Sequence, residues 1–224
     1  MRARKKRHQE ERLERCKPCL LQVTYGEWDP RKACQVKEYF DYEALFGNNN
    51  PVELEIGCGK GGFAVEWAKR NPDKNLLAVE RSRNVLVDAC EKAMAEGVTN
   101  LKFLLCDAEY LPKYLPEHSV NRLYLNFSCP FPKRSYENRR LTNIRFLEIY
   151  KRLLAKDAEI WQKTDNLPFF EYSLEQYQAG GYQVKNVCRD LYASPMPENI
   201  PTEYETRFAS MGLPIYRVEA YWRE

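Results

Sequence analysis

Glu55, Glu80 and Asp107 stand at the exits of three short apolar runs, and the first run leads into Gly57-Cys58-Gly59-Lys60-Gly61-Gly62. So many glycines in one turn let the backbone adopt positive φ and approach a ligand closely. Read as GxGxxG over Gly57, Gly59 and Gly62, the turn matches a dinucleotide fingerprint, a weak signal on its own. Glu55 changes the chemistry. A pyrophosphate above this turn would meet a carboxylate and be repelled. S-adenosylmethionine carries no phosphate, and its methionine moiety presents an ammonium that a carboxylate holds. Glu80, 23 residues after Gly57, suits the two ribose hydroxyls of an adenosine. Asp107 suits the exocyclic amine of adenine. Each acid singly also reads as the cap of the helix that follows it. Together the three describe one adenosyl pocket for a sulfonium cofactor.

A fourth apolar run, Arg122–Phe127, opens into Ser128-Cys129-Pro130-Phe131-Pro132-Lys133-Arg134, with Asn138-Arg139-Arg140 close behind. The prolines stiffen this exit so that it can hold a flat acceptor. Lys133, Arg134, Arg139, Arg140 and Arg145 are interleaved with Phe131 and Tyr136. Cations for phosphate and aromatic faces for stacking are the means by which unpaired RNA bases are held. A charged, solvated helix face is the plainer reading of the same residues.

These residues need elements to position them. Strands are predicted at Val52–Ile56, Asn75–Glu80, Leu101–Cys106, Arg122–Phe127 and Glu159–Lys163. Helices are predicted at Phe63–Arg70, after Ser82 as far as Gly97, from Leu141 to Leu154, and at Phe169–Gln178. Tyr182–Leu191 and Ile215–Trp222 are late strands, joined by a Pro-rich stretch without helical pattern. Alternating strands and helices with short buried apolar runs predict an α/β fold: a doubly wound, mostly parallel sheet with an antiparallel C-terminal edge strand. Ligands in such sheets bind beyond the carboxyl ends of the strands, where the acids above lie.

The chain has 224 residues, of which 44% are hydrophobic and 30% charged. That is enough to bury a core without disulfides, and it excludes charge-driven disorder. No apolar run reaches the roughly 18 residues of a membrane span, and the basic start lacks a signal-peptide apolar region, so a cytoplasmic protein is expected. Residues 1–15 hold seven basic and three acidic side chains, whereas the whole chain nets only +3. This predicts a mobile basic arm with affinity for phosphate backbones, within an N-terminal extension over 1–46, ahead of a ligand-binding domain over 47–224. Eight cysteines in a cytosolic chain are expected to stay reduced. Cys16-Lys-Pro-Cys19, with Cys34 nearby, lacks the second half of a zinc site, so no metal is expected.

The motifs LEIGCGKGG (54–62), RLYLNFSCPFPK (122–133), RRLT (139–142), KTDN (163–166), TEYE (202–205) and YRVEAYW (216–222), in this order, are similar to those of bacterial tRNA (guanine-N7-)-methyltransferases. The start, MRARKK, also resembles that family. The resemblance implies a class I methyltransferase, Rossmann-like, which moves a methyl group from S-adenosylmethionine to N7 of the variable-loop guanosine at tRNA position 46. It implies cofactor contacts at Glu55, Gly57, Gly59, Glu80, Asp107 and Cys129. It implies tRNA contacts at Lys133, Asp165, Thr202, Glu203, Tyr204 and Glu205, and a monomer or homodimer. Asp165 as a helix cap and TEYE as a polar loop are the plainer alternatives.

The chain departs from the family pattern NFSDPWPK: Cys129 replaces the aspartate assigned as catalytic, Phe131 the tryptophan, and Tyr136 a nearby histidine. A thiol is mostly neutral at pH 7, so a carboxylate charge is lost. Guanine N7 carries no proton to remove, so the reaction depends on alignment and on stabilising the cationic product. Either catalysis is weakened or Asp165 and Glu205 compensate. Four alternatives stay open: a weakened or inactive RNA-binding homologue, a Cys129 nucleophile as in cytosine-C5 methyltransferases, an NAD-linked oxidoreductase, and an α/β domain without a ligand.

Overall fold

A computed structural model describes residues 7–223. Residues 1–6, the first part of the expected basic arm and of its family-like MRARKK start, lie outside the described residues. The elements in chain order are α1 (Gln9–Arg15), β1 (Leu20–Gln22), α2 (Pro30–Ala33), α3 (Tyr42–Phe46), β2 (Val52–Ile56), α4 (Gly62–Arg70), β3 (Asn75–Glu80), α5 (Arg83–Ala95), β4 (Leu101–Leu105) and α6 (Leu111–Tyr114). There follow β5 (Val120–Asn126), α7 (Ile144–Leu153), β6 (Leu154–Thr164), α8 (Leu167–Ala179), β7 (Gln183–Cys188), α9 (Glu203–Ser210) and β8 (Tyr216–Tyr221). The chain divides into two compact units at Leu115/Pro116.

In the first unit four strands run parallel in the order β1-β4-β3-β2. All five residues of β2 are buried, Glu53 and Glu55 included, although the strand alternates apolar and acidic residues; Leu76, Leu77, Ala78 and Val79 of β3 are buried too, and that run reads as continuous. Trp67 of α4 and Leu86, Val87 and Cys90 of α5 complete that core. Register pairs Ile56 with Val79 and Glu80 with Leu105, so the carboxyl ends of β2, β3 and β4 lie side by side.

The N-terminal segment is not an arm where it is described. Leu13 and Cys16 are buried, and α1 lies on α5. Arg12 donates from Nε and Nη2 to the two carboxylate oxygens of Glu91, at 2.7 and 2.6 Å, and from Nη2 to Asp88 at 3.0 Å. Net charge mispredicted this stretch because Arg12 finds its counter-ions on another helix. Cys16 and Cys19 are core residues beside Cys90.

In the second unit the order is β5-β6-β8-β7. β5 and β6 are parallel, whereas β8 runs antiparallel to both β6 and β7. The antiparallel end expected at the C-terminus is thus present, with β8 lodged between its neighbours and β7 outermost. β6 begins at Leu154, earlier than the predicted Glu159, and its register against β5 shifts between Val120 and Arg122. The Pro-rich stretch expected to lack a helix contains α9. Its N-cap Thr202 accepts from the N–H of Glu205 at 2.9 Å, and the Glu205 side chain reaches back to the N–H of Thr202. This reciprocal cap starts the helix.

Candidate active site

In the first unit the site is built at the exits of β2, β3 and β4. Gly57, Gly59 and Gly61 take positive φ, so the conformational demand falls on a GxGxG spacing rather than on Gly62. The N–H groups of Gly57 and Cys58 both donate to Val79 O, at 2.8 and 3.1 Å, and this clamps the turn to the end of β3. A Cβ on Gly61 would come within 2.8 Å of Ala89 Cβ, so that glycine lets α4 pack against α5. A Cβ on Gly57 or Gly59 would meet nothing within 4 Å. Those two glycines leave space above the turn instead of filling a contact.

Three carboxylates stand at or just beyond adjacent strand ends, with Glu80 in the middle, and Glu55 and Glu80 lie beside this turn. Glu55 is 2% exposed, on the fully buried β2. Glu80 accepts from the N–H of Ser82 at 2.8 Å and from the N–H of Gly59 at 3.4 Å. The second bond ties the glycine turn to the acid. Cys58, on the turn, is fully buried by its surroundings, and its thiol is pushed well up by that burial and then by the charges of Glu55 and Glu80. One sulfur atom therefore senses both carboxylates. Asp107 follows β4, caps the 3₁₀ turn Ala108–Tyr110 through a long 3.5 Å bond from the N–H of Glu109, and lies 3.9 Å from Arg81 Nη1. The structure thus brings Glu55, Gly57, Gly59, Glu80 and Asp107 together. A carboxylate set of this kind fits a cationic, hydroxyl-bearing and amine-bearing ligand.

In the second unit the exits of β5 and β6 are adjacent, with Asn126 opposite Lys163. The Phe127 N–H donates to Lys163 O at 2.8 Å. Phe127 and Phe131 both have positive φ, so the intervening Ser128-Cys129-Pro130 is presented on a tightly bent loop, with Cys129 exposed. Arg140 braces that loop by donating to Pro130 O at 2.9 Å and Phe131 O at 3.2 Å, while its guanidinium stacks 4.2 Å above the Tyr172 ring. Arg140 is accordingly a structural clasp. Lys133, Arg134 and Arg139 are exposed, and Arg139 lies over the Tyr136 ring at 4.6 Å.

Asp165 follows β6 directly. The cap of α8 is Asn166, which accepts from the N–H of Phe169 at 2.9 Å, so the capping alternative for Asp165 fails. The TEYE residues divide in two. Glu205 is 0% exposed, and its carboxylate accepts from Lys163 Nζ at 2.5 Å and from Asn199 Nδ2 at 2.5 Å. Lys163 also donates to Asn199 Oδ1 and Ile200 O, both at 2.9 Å. Thr202 and Glu205 were expected to face RNA; they are spent on the helix cap and on this buried pair. Glu203 is exposed, and Tyr204 is 61% exposed, with its ring stacked 6.4 Å from Phe127. The second unit therefore gathers the Cys129 loop, Asp165, Glu203 and Tyr204 at the exits of β5 and β6. Sequence reasoning missed Lys163 and Arg140 as the residues that hold these parts in place. The capping-box spacing T-x-x-E was the available signal for the first.

Among the described residues no cluster of three or more His, Cys, Asp or Glu side chains is arranged to hold a metal, and no helix is long and apolar enough to cross a membrane. Residues 49–218 match the model of a putative methyltransferase family. A tRNA (guanine-N(7)-)-methyltransferase of Streptococcus pneumoniae (strain CGSP14) is 46% identical over 176 residues, covering 79% of this chain and 83% of that one. One from Brevibacillus brevis is 44% identical, covering 80% of this chain and 85% of that one. Among solved structures, the 16S rRNA methyltransferase KamB aligns with a TM-score of 0.59 at 18% identity, covering 82% of this chain and 93% of that one, a likeness of fold. With this extent of identity, the family model and a methyltransferase fold in agreement, the chain belongs to the tRNA (guanine-N(7)-)-methyltransferase family.

Proposed function

We propose that the protein methylates N7 of the guanosine at position 46 in the variable loop of tRNA, with S-adenosylmethionine as donor, in the bacterial cytoplasm. The observation that carries this reading is the trio Glu55, Glu80 and Asp107 on adjacent strand exits around an open glycine turn. Glu55 takes the ammonium, Glu80 the ribose hydroxyls, and Asp107 the adenine amine. An NAD-type pyrophosphate is disfavoured at the same place by the buried Glu55 carboxylate.

Held by Glu55, Glu80 and Asp107, S-adenosylmethionine would supply an electrophilic sulfonium methyl to the lone pair of guanine N7, with S-adenosylhomocysteine as the leaving group. No residue has to remove a proton from N7. The chain's task is to hold the base and to offset the positive charge that develops on its imidazole ring. Lys133 and Arg139 contact phosphate, Tyr204 offers a stacking face, and Glu203 or Asp165 accepts from the guanine N1 and N2 donors. Cys129 stands at the family's aspartate position, a thiol in place of a carboxylate. With Glu205 committed to Lys163, compensation for that charge falls to Asp165.

The test is mass analysis of nuclease-digested, unmodified tRNA after incubation with the cofactor, for wild type and Cys129→Asp. Wild type is expected to produce 7-methylguanosine at position 46. Cys129→Asp is expected to gain up to about 10²-fold in rate, the lower end of what one electrostatic group contributes. Cofactor binding with no product from either protein would replace this reading with that of an RNA-binding homologue.

A further inference from the structure

The segment after β1 is strapped along the stretch that follows Asp107. Tyr114 Oη donates to Thr24 O at 2.6 Å, Lys113 Nζ to Tyr25 O at 3.1 Å, and Tyr110 Oη to Trp28 O at 2.7 Å. Further along, Lys37 Nζ donates to Pro112 O at 2.8 Å, and the Phe40 N–H to Tyr114 O at 2.8 Å. At the centre, the Tyr25 ring lies flat on the Tyr110 ring, with centroids 3.7 Å apart and planes 8° apart. The Tyr25 hydroxyl accepts from the backbone N–H of Asp107 at 2.8 Å.

This last bond matters because two contacts of the Asp107 carboxylate are long: 3.5 Å to the Glu109 N–H and 3.9 Å to Arg81. Neither is short enough to fix where the carboxylate points. Its direction follows from the backbone at Asp107, and Tyr25 anchors that backbone. Burial pushes the Tyr25 hydroxyl up to about 12. It stays protonated at neutral pH, so it can accept from Asp107 while its own proton serves the Cys106 thiol, its other partner.

We propose that Tyr25 is a positioning residue for the purine end of the cofactor pocket. Through the Asp107 N–H it sets the carboxylate that receives the adenine amine, and it makes the segment 24–40 part of that pocket. The inference rests on Asp107 being the amine acceptor. It gives the N-terminal extension a role in binding the nucleoside as well as in packing.

The test uses the full chain, Tyr25→Phe, and calorimetric titration with S-adenosylhomocysteine and S-inosylhomocysteine. The second ligand carries a 6-oxo group where adenine has its amine. Tyr25→Phe keeps the ring stack, so thermal stability should hold. S-adenosylhomocysteine should bind about 3- to 10-fold more weakly, the worth of one partly buried hydrogen bond. S-inosylhomocysteine binding should not change, so discrimination between the two should fall by the same factor. In an Asp107→Asn background, Tyr25→Phe should add little further loss, because the two act through one contact. Equal weakening of both ligands, no weakening, or additive losses in the double variant would overturn the proposal. Wild type that binds both ligands equally would remove Asp107 as amine acceptor, and wild type that binds neither would remove the cofactor pocket itself. Those two outcomes are distinguishable from a failure confined to Tyr25.

Discussion

Lys163→Met is the sharpest perturbation that the structure offers. Lys163 Nζ is held by Glu205 Oε2 at 2.5 Å, Asn199 Oδ1 at 2.9 Å and Ile200 O at 2.9 Å, and the two charged side chains are 6% and 0% exposed. A surface pair such as Lys69–Glu96, with both side chains 47% exposed, contributes only about 0.2–1 kcal/mol. Removing one partner of a buried pair costs about 3–5 kcal/mol, because the other charge is left without its counter-ion. Glu205 would retain Asn199 Nδ2 at 2.5 Å and the Thr202 N–H at 3.4 Å, which places the expected loss near the lower end, about 3 kcal/mol. For a chain of this length that is a fall of about 6–12 °C in midpoint. Urea unfolding followed by circular dichroism measures it, with Lys69→Met as the surface control. Neutralising the stranded acid should recover much of the loss, so Lys163→Met/Glu205→Gln should be more stable than Lys163→Met alone. A loss below about 1 kcal/mol, or a double variant less stable than the single, would refute the reasoning that a desolvated charge pair holds α9 on β6.

Four further outcomes follow from other contacts. Gly61→Ala forces a side chain into positive φ and to within 2.8 Å of Ala89 Cβ; a loss of about 2–4 kcal/mol is expected in the same unfolding assay, and wild-type stability would contradict the packing. Glu55→Gln removes the charge proposed to face the cofactor ammonium and should weaken S-adenosylmethionine binding about 10- to 100-fold by calorimetry; unchanged affinity would place the ammonium elsewhere. Hydrogen bonding to Arg12 holds Glu91 below the usual carboxylate range, so the docking of α1 should be fully present above the ordinary carboxylate value and be lost as pH falls through the depressed one. Because the Glu91 side chain is 41% exposed, the effect stays below about 1 kcal/mol, seen as faster pH-corrected amide exchange over 9–15 in acid and absent in Arg12→Gln. Iodoacetamide near neutral pH should label exposed Cys129 first, since burial pushes the thiols of Cys58 and Cys106 up; peptide mapping with early label on Cys58 would contradict the buried turn.

The glycine turn and the acids at the strand exits of the first unit were legible because they sit where physics leaves strong marks. A strand covered on both faces reads as an unbroken apolar run, and a carboxylate at its exit stands out. Glu55 marks the end of β2, and Glu80 marks β3 at the position the run predicts. The third glycine was assigned one residue late because spacing alone does not report φ. Gly61 takes the positive value and meets Ala89, a contact that only packing reveals. β1 escaped notice since a strand of three residues carries almost no pattern. The α1 segment was misread for a different reason: charge was counted along the chain, whereas Arg12 is neutralised by Glu91 and Asp88 more than seventy positions away.

The substrate half shows where residue types stop being informative. TEYE contains four side chains able to meet a base, and the family resemblance assigns all four to RNA. Folding divides them by helical geometry. Residue N3 of a capped helix turns back onto the cap, so Glu205 goes inward to Lys163, while Glu203 and Tyr204 at N1 and N2 remain at the surface. The same logic separates Arg140, which braces the Cys129 loop through two carbonyls, from Arg139 beside it, which is exposed. A charge in a motif can therefore bind the ligand or hold the loop that does, and burial distinguishes the two. That division bears on Cys129. With Glu205 committed to Lys163 inside the fold, the acid proposed to stand in for the missing carboxylate is Asp165.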